Sequence, residues 1–317
     1  MAGMALVAQE ARCQGLLSSA HTPGAAVQRW PAVACLTLNA LVWGVSWWPF
    51  RELQSMGVHP LWATALIYCF AWVCVLALSP HAWRGLLAHP ALLWLALASG
   101  MTNVGFNWAV TVGDVVRVVL LFYLMPAWSV LVAWWLLGEK PTAASLLRLA
   151  LSLAGVLLVL RPDPSAAASS RWSDLADALA LFGGLSFALT NALLLKFRNT
   201  PSQARMFAMF AGGGSLALVT ALAGGVQGAI AGLPPPNMAW ILTGTLLAVA
   251  FLAGNLALQF GAARLPASTT ALVMLSEVVF ASASSVALGA AELAAHTVLG
   301  GALILASAVW AAWPVRR

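Results

Sequence analysis

The chain has 317 residues, of which 62% are hydrophobic and only 8% are charged. A soluble domain carries about 25% charged residues, so this composition excludes a soluble globular protein and predicts an integral membrane protein. The net charge of +6 comes from single basic residues scattered between apolar runs. Because a nucleic-acid-binding surface needs clustered Lys and Arg, we expect no nucleic-acid partner.

Ten apolar runs follow one another along the chain, and each is long enough to cross a bilayer, which takes about 20 residues in a helix. Proline and glycine residues, which favour helix ends, separate the runs. The sequence therefore predicts an all-α integral membrane protein with ten transmembrane helices. The predicted spans are 31–50, 60–79, 91–112, 115–138, 143–160, 175–196, 204–225, 237–260, 267–290 and 295–313.

An even number of spans places both termini on one side of the membrane, and the basic residues near the span ends indicate which side. Eleven fall on the side of the termini: Arg12, Arg29, Arg84, Lys140, Arg148, Lys196, Arg198, Arg205, Arg264, Arg316 and Arg317. Four fall on the opposite side: Arg51, Arg117, Arg161 and Arg171. Since cytoplasmic loops are enriched in Lys and Arg, we expect a multi-pass protein of the plasma (inner) membrane with both termini in the cytoplasm.

A polar linker divides the predicted spans into two sets of five, and the two sets share sequence features. Asn103 and Asn107 in the third span have counterparts 152 positions later, Asn255 and Gln259 in the eighth. The fourth span ends WWLLGEK and the ninth ends VALGAAEL. Two copies of five spans must have opposite orientations, so we predict inverted repeats. The predicted domains are a cytoplasmic tail (1–29), a first five-helix repeat (30–160), an outer linker (161–173) and a second five-helix repeat (174–317).

The segment WGVSW at 43–47, the PAW…LLGE stretch from Pro126 to Glu139 and the two five-span halves resemble the EamA-type transporters of the drug/metabolite transporter superfamily. The second half departs from this pattern, because SEVVFA stands where the first half has MPAWSV. The resemblance implies a ten-helix bundle that moves a small metabolite, often outward, across the plasma membrane. We therefore predict a secondary transporter of an amino acid-like or amphipathic compound, with alternating access as its mechanism and export as its direction.

Polar and aromatic side chains inside the spans are the candidate lining of a substrate cavity, because polar groups at this depth usually face the bundle interior or a water-filled space. Many of them recur at steps of three or four residues and so share a helix face. The alternative is structural: amides and hydroxyls can bond neighbouring helices, tryptophans can pack in the core, and an arginine near a span end can snorkel or pair with a nearby acid. The predicted cavity residues are Trp43, Ser46, Trp47, Asn103, Asn107, Arg117, Thr190, Asn191, Asn255, Gln259, Thr270 and Glu277.

Glu277 is the single acid in the run ALVMLSEVVFASAS and lies ten residues into the predicted ninth span. A carboxylate at this depth costs about 2.5–3.5 kcal/mol on insertion scales and cannot reach water without a cavity. Three interpretations remain open: a protonated acid bonded to a neighbouring helix, a contact to a substrate amine, and a carrier of a coupling proton. The offset of 152 places Glu277 opposite Met125–Pro126, so the acid has no counterpart in the first half.

Other function classes have weaker support in the sequence. GLSF at 184–187, together with His296, is a faint match to the Ser–His pair of an intramembrane protease and lacks that motif's second glycine. The chain contains no HExxH motif, no P-loop run and no paired acid cluster, so we expect neither enzymatic activity nor a cofactor or metal. A channel and a homodimer remain open, and the expected partners are a small-molecule metabolite and the lipid bilayer.

Overall fold

A computed structural model describes residues 29–138, 140–159, 171–197, 199–262, 264, 273–290 and 294–312. Every regular element in these ranges is helical, which confirms the predicted all-helical fold for them. The helices are α1 (Arg29–Val45), α2 (Trp47–Ser55), α3 (Pro60–Leu78), α4 (Ala82–Ala88), α5 (Leu92–Val112), α6 (Val115–Phe122), α7 (Met125–Val132, continued by a π-helical turn over Ala133–Leu137), α8 (Ala143–Val159), α9 (Arg171–Lys196), α10 (Ser202–Val226), α11 (Met238–Ala262), α12 (Ser276–Ala287) and α13 (Ala295–Ala312). Nearly all of the predicted tail, most of the predicted linker and the start of the predicted ninth span lie outside the described residues.

Several helical stretches have the length and apolar character needed to cross a membrane. Six qualify individually: Trp30–Ser55, Pro60–Ala77, Val115–Leu136, Asp174–Lys196, Ser202–Val226 and Met238–Leu258. Helices α4 and α5 qualify together as a seventh, although their axes are bent by 116° at the break between them. Two shorter apolar helices cover Ala143–Val159 and Ala295–Ser307. These helices support the prediction of a multi-pass membrane protein.

Large apolar side chains are exposed on the outer surface of the bundle. Val226 is 91% exposed, Leu157 73% and Val73 61%. Each exposed apolar side chain would cost about 25 cal/mol per Å² in water, whereas hydrocarbon imposes no such cost. The bundle is therefore built for a lipid environment, and its polar side chains are found mainly inside.

Small residues allow close approach of helices in the interior. A Cβ atom added to Gly212 of α10 would lie 1.9 Å from the carbonyl oxygen of Ala96 in α5. A Cβ atom added to Gly155 of α8 would lie 2.7 Å from the carbonyl oxygen of Gly300 in α13. Lipid provides no hydrophobic drive between helices, so backbone contacts of this kind carry much of the packing.

The fourth and ninth apolar spans are interrupted near their middle, whereas the turn at Ser46 between α1 and α2 lies nearer the outer end of the first span. A turn at Tyr123–Leu124 separates α6 from α7, and a turn at Leu275 immediately precedes α12. The position of Tyr123 plus the repeat offset of 152 is the position of Leu275. A break inside a span frees backbone polar groups, which must find partners within the protein. The candidate site is built where these two breaks meet.

Candidate functional site

A continuous series of aromatic contacts crosses the middle of the bundle. Neighbouring ring centroids in this series are 4.6 to 6.1 Å apart. Such ring pairs are worth about 0.5–1.5 kcal/mol each beyond the area they bury. The series, called here the aromatic layer, runs through Phe187 of α9, Phe122 of α6, Phe106 of α5, Trp43 of α1, Phe251 of α11, Tyr68 of α3 and Phe210 of α10. Trp43 was predicted as a cavity residue and lies at the centre of this layer.

The two amides of α5 are bonded to α3. The hydroxyl of Tyr68 donates to Asn103 Oδ1 at 2.5 Å, and the Asn103 amide donates to the carbonyl of Ser99 in its own helix at 2.8 Å. Asn107 Nδ2 donates to the Thr64 hydroxyl at 3.2 Å, whereas its Oδ1 is buried without a hydrogen-bond partner. Asn103 therefore bonds once to a neighbouring helix and once within its own helix, whereas Asn107 retains one free acceptor.

The first span contacts the ninth at two depths. Trp47 Nε1 donates to the hydroxyl of Ser284 in α12 at 2.9 Å, whereas Ser46 bonds only to the carbonyl of Trp43 in its own span. Deeper along α1, Asn39 is fully buried and its amide approaches the sulfur of Met274 at 3.5 Å. Asn39 Oδ1 has no partner. These contacts place α1 and α2 along one side of the ninth-span break.

Glu277 lies in the first turn of α12, immediately after the break, and is 7% exposed. Its Oε2 is 2.9 Å from the hydroxyl oxygen of Tyr123, which belongs to the break in the fourth span. The same hydroxyl oxygen is 3.0 Å from the main-chain carbonyl oxygen of Met274. The two breaks therefore meet through the side chain of Tyr123.

The freed backbone groups of the ninth-span break are taken up by hydroxyls. The N–H of Val278 donates to the carbonyl of Leu275 at 3.2 Å. The carbonyl of Met274 accepts from Tyr123 instead, and the hydroxyl of Ser276 donates to the carbonyl of Val273 at 2.7 Å. The break thus depends on two side-chain hydroxyls, one of them from the other half of the chain.

Charged side chains collect at one end of the bundle, which is the outer end in the predicted orientation. The guanidinium of Arg117 binds both carboxylate oxygens of Asp177 in α9, with its shortest contact at 2.6 Å. Asp114 caps α6 by accepting the N–H of Arg117 at 2.8 Å. Burial raises the pKa of Asp114, while the charges of Arg51 and Arg117 oppose that rise. The sequence predicted Arg117 as a cavity residue, with snorkelling or pairing with a nearby acid as the structural alternative, and it did not identify Asp177 as the partner.

The remaining predicted residues occupy different environments. Thr190 is buried in α9, 3.5 Å from the hydroxyl of Thr102, and the adjacent Asn191 is exposed on the outside of the helix. Asn255 is half-buried and bonds to the carbonyl of Phe251 in its own helix at 3.0 Å. The side chain of Gln259 and the whole of Thr270 lie outside the described residues. The predicted set is therefore not gathered around one point.

Three residues of the site were absent from the predicted set: Tyr123, Met274 and Asp177. Tyr123 is one of only two tyrosines in the chain, and the repeat offset maps it onto the ninth-span break. These two facts together could have singled it out. Met274 contributes its backbone, which no side-chain pattern reveals. Within the described residues, no group of three or more His, Cys, Asp or Glu side chains could hold a metal ion.

Comparison with known proteins agrees with the resemblance drawn from the sequence. Residues 30–161 match the family described as the EamA-like transporter family, which confirms the resemblance to EamA-type transporters of the drug/metabolite transporter superfamily. No curated protein matches the chain. One similar solved structure, titled "Crystal structure of protein", is 19% identical, covers 88% of this chain and 96% of its own, and has a TM-score of 0.53. At that identity the likeness concerns the fold alone.

Proposed function

We propose that this chain, whose residues 30–161 match the EamA-like transporter family, is a secondary transporter that exports a small metabolite across the plasma membrane by alternating access. The observation that carries the proposal is the meeting of two interrupted spans, one from each half, at a buried acid and a tyrosine. Interrupted helices that meet near the mid-plane are the usual construction of substrate and ion sites in transporters with inverted repeats.

Ten spans are the proposed count. Six helical stretches qualify alone, the bent pair of α4 and α5 adds one, and the two shorter apolar helices add two more. The tenth is the ninth-span segment that ends in α12 (Ser276–Ala287). With ten spans both termini lie on one side, and the excess of basic residues on that side supports a cytoplasmic location for both.

The proposed inverted repeat is supported by which spans pack together. The first span packs against the eighth and ninth, and the sixth packs against the third and fourth. The second span packs against the seventh and the fifth against the tenth. If each span is replaced by its counterpart in the other half, the contacts of the first span become the contacts of the sixth span. The second–seventh and fifth–tenth pairs are each converted into themselves. The proposed units are therefore 30–160 and 174–317, with a tail at 1–29 and a linker at 161–173.

The proposed substrate is an amino acid-like or amphipathic compound. The aromatic layer offers apolar surface, and the unpartnered oxygens of Asn39 and Asn107 offer acceptors for a substrate N–H or O–H. Glu277 supplies the only carboxyl group in the described part of α12. A mostly apolar lining with a few placed polar groups is typical of small-molecule sites. Trp43, Trp47, Thr190 and Asn255 are retained as candidate contacts on the same reasoning.

Glu277 is also the proposed carrier of a coupling proton, because it is the acid nearest the mid-plane and is enclosed by the protein. A ligand that binds the folded protein raises its apparent stability, so thermal stability in detergent, screened over amino acids and amphipathic amines, identifies the substrate class. Proteoliposomes with an imposed pH gradient then test the coupling. We expect gradient-driven transport by the native protein and none by Glu277→Gln, which carries no titratable group. Normal transport by Glu277→Gln across a pH series would exclude proton coupling at this residue.

A further inference from the structure

The hydroxyl of Tyr123 has two oxygen neighbours and only one hydrogen to share between them. Its oxygen lies 2.9 Å from Glu277 Oε2 and 3.0 Å from the carbonyl oxygen of Met274. A phenol donates one hydrogen bond, a main-chain carbonyl only accepts, and an ionised carboxylate only accepts. Both contacts are full hydrogen bonds only when Glu277 is protonated and donates to Tyr123, which then donates to Met274. The arrangement fits a neutral Glu277.

No described cation is placed to stabilise an ionised Glu277. Helix α12 packs against α1 and α6 and contains no other titratable side chain. The titratable residues of α1 are Cys35 and Arg29, and Arg29 is the first residue of the helix, about 22 Å along the axis from Gly44. Gly44 presents only backbone to Glu277. On α6, Arg117 lies six residues before Tyr123, about 9 Å along the helix, and is bound to Asp177. Asp114 lies further out still.

The first span continues beyond Gly44 into α2, where Arg51 and Glu52 lie near its outer end. Arg51 is engaged there, because it donates to the carbonyl of Gly113 and stands over the ring of Trp47. An ionised Glu277 would therefore be a buried charge whose main partner is one neutral hydroxyl. Such a charge is costly unless it is paired.

The hydrogen-bonded series of Glu277, Tyr123 and the carbonyl of Met274, called here the relay, joins elements that close the same side of the bundle. Val278 and Ala281 of α12 share one hydrophobic cluster with Leu120 and Tyr123 of the fourth span. One turn beyond this cluster, Ser284 accepts the indole N–H of Trp47. The outer arms of the two broken spans, α6 and α12, are therefore packed together in the arrangement that contains the relay.

We propose that Glu277, Tyr123 and the main-chain carbonyl of Met274 form a proton-binding site that is occupied when α6 and α12 are packed together, and that Tyr123 positions the bound proton. This inference rests on the proposed transporter function and gives the coupling step a direction. A proton bound from water forms the O–H bond of Glu277, and the Tyr123 hydrogen turns from the carboxylate to Met274. When the proton returns to water, the Tyr123 hydrogen turns back and the carbonyl of Met274 loses its donor. Deprotonation thus weakens the contact between the two breaks and favours opening of the outer side.

Infrared difference spectroscopy of the purified protein tests the protonation itself. We expect a protonated-carboxyl band that is present in the native protein, disappears as the pH is raised and is absent from Glu277→Gln. In Tyr123→Phe the band is expected to shift, because the carboxyl group has lost its acceptor. Tyr68→Phe is the matched control, since it removes another buried hydroxyl that bonds to Asn103 and not to an acid. Absence of a Glu277-dependent band, or an unchanged band in Tyr123→Phe, would overturn the proposal.

Spin-label distances test the conformational consequence. Labels at Ala287, the last residue of α12, and at Ala178 of α9, both exposed near the outer end, report the separation of the ninth and sixth spans in a background without native cysteines. We expect the distance to lengthen as the pH rises in the native protein and in Tyr68→Phe. It should stay short in Glu277→Gln, whose amide donates like a protonated acid, and lose its pH response in Tyr123→Phe. A native distance that ignores pH, or a full response in Tyr123→Phe, contradicts the inference.

These two measurements need no substrate, so they separate the relay from the transport function. A pH-dependent relay in a protein that moves no solute would leave the inference standing and remove the proposed function. Solute transport without the band or the pH response would do the reverse. Thermal melting of each variant in the same detergent establishes that the compared samples are folded.

Discussion

The two broken spans have the same interruption at equivalent positions but secure it by different means. The fourth span has Pro126 just after its turn, and a proline cannot donate a main-chain hydrogen bond. The ninth span has no proline there, and its freed carbonyls accept the hydroxyls of Ser276 and Tyr123. A covalent feature maintains the first break under all conditions, whereas hydrogen bonds that one proton can rearrange maintain the second. The difference identifies the ninth span as the adjustable one.

The outer arms of the two broken spans, α6 and α12, also differ in how strongly they are held to their neighbours. Arm α6 is fastened to α9 by the bidentate ion pair of Arg117 and Asp177. Arm α12 is fastened to the first span by a single neutral bond from Trp47 to Ser284. Hydrogen bonds between charged groups are roughly twice as strong as those between neutral groups. We therefore expect α6 to stay with the sixth span while α12 moves.

Breaking the ion pair between Arg117 and Asp177 should have the largest effect on stability. Arg117→Gln leaves Asp177 mostly buried without its cation, and we expect a loss of about 1.5–3 kcal/mol, seen as a lower melting temperature in detergent. Arg84→Gln is the control, because Arg84 is exposed and contacts the ring of Trp83. In a double-mutant cycle, Asp177→Asn should cost little more once Arg117 is changed. Fully additive losses would show that the ion pair does not hold α6.

Adding a side chain at Gly44, where the first span contacts the ninth-span break, should have the second-largest effect on stability. A Cβ atom on Gly44 would lie 2.7 Å from the carbonyl oxygen of Glu277 and 2.8 Å from Cβ of Phe280. Gly44→Ala should therefore destabilise the protein by about 1–3 kcal/mol through overpacking. Gly244→Ala is the matched control, because no atom lies within 4 Å of a Cβ at that position. Equal melting temperatures for the two variants would mean that the first span does not brace the ninth-span break.

Removing the hydrogen bond between Trp47 and Ser284 should have the smallest effect on stability. Ser284→Ala deletes the acceptor for Trp47, and we expect a loss of about 0.5–1.5 kcal/mol in the same melting assay. If α12 is the moving arm, the variant should also favour the open outer side in the spin-label measurement. A loss as large as that of Arg117→Gln would contradict the contrast between the two arms.

Sequence patterns foresaw the apolar spans and the buried acid, because hydropathy and depth are local properties. They could not foresee the partner of Glu277, since Tyr123 lies 154 residues away and the contact depends on which helices become neighbours. Periodicity placed Asn103 and Asn107 on one face, but only packing shows that the face meets α3. Thr190 and Asn191 are adjacent on one helix and point in different directions. Because Thr190 is buried, Asn191 lies on the exposed face of the helix. The acid nearest to Arg117 in sequence is Asp114, whereas the Arg117 side chain binds Asp177 in another span, a contact that sequence proximity does not reveal.

Counterflow in proteoliposomes tests the central claim most directly. Vesicles containing the purified native protein are loaded with the compound that most raises its thermal stability and are diluted into a trace of the labelled compound. A carrier that alternates around one site exchanges internal for external solute, so the account predicts transient accumulation of label above its equilibrium level, saturable by unlabelled compound. A monotonic approach to equilibrium that does not saturate would indicate a pore and contradict alternating access.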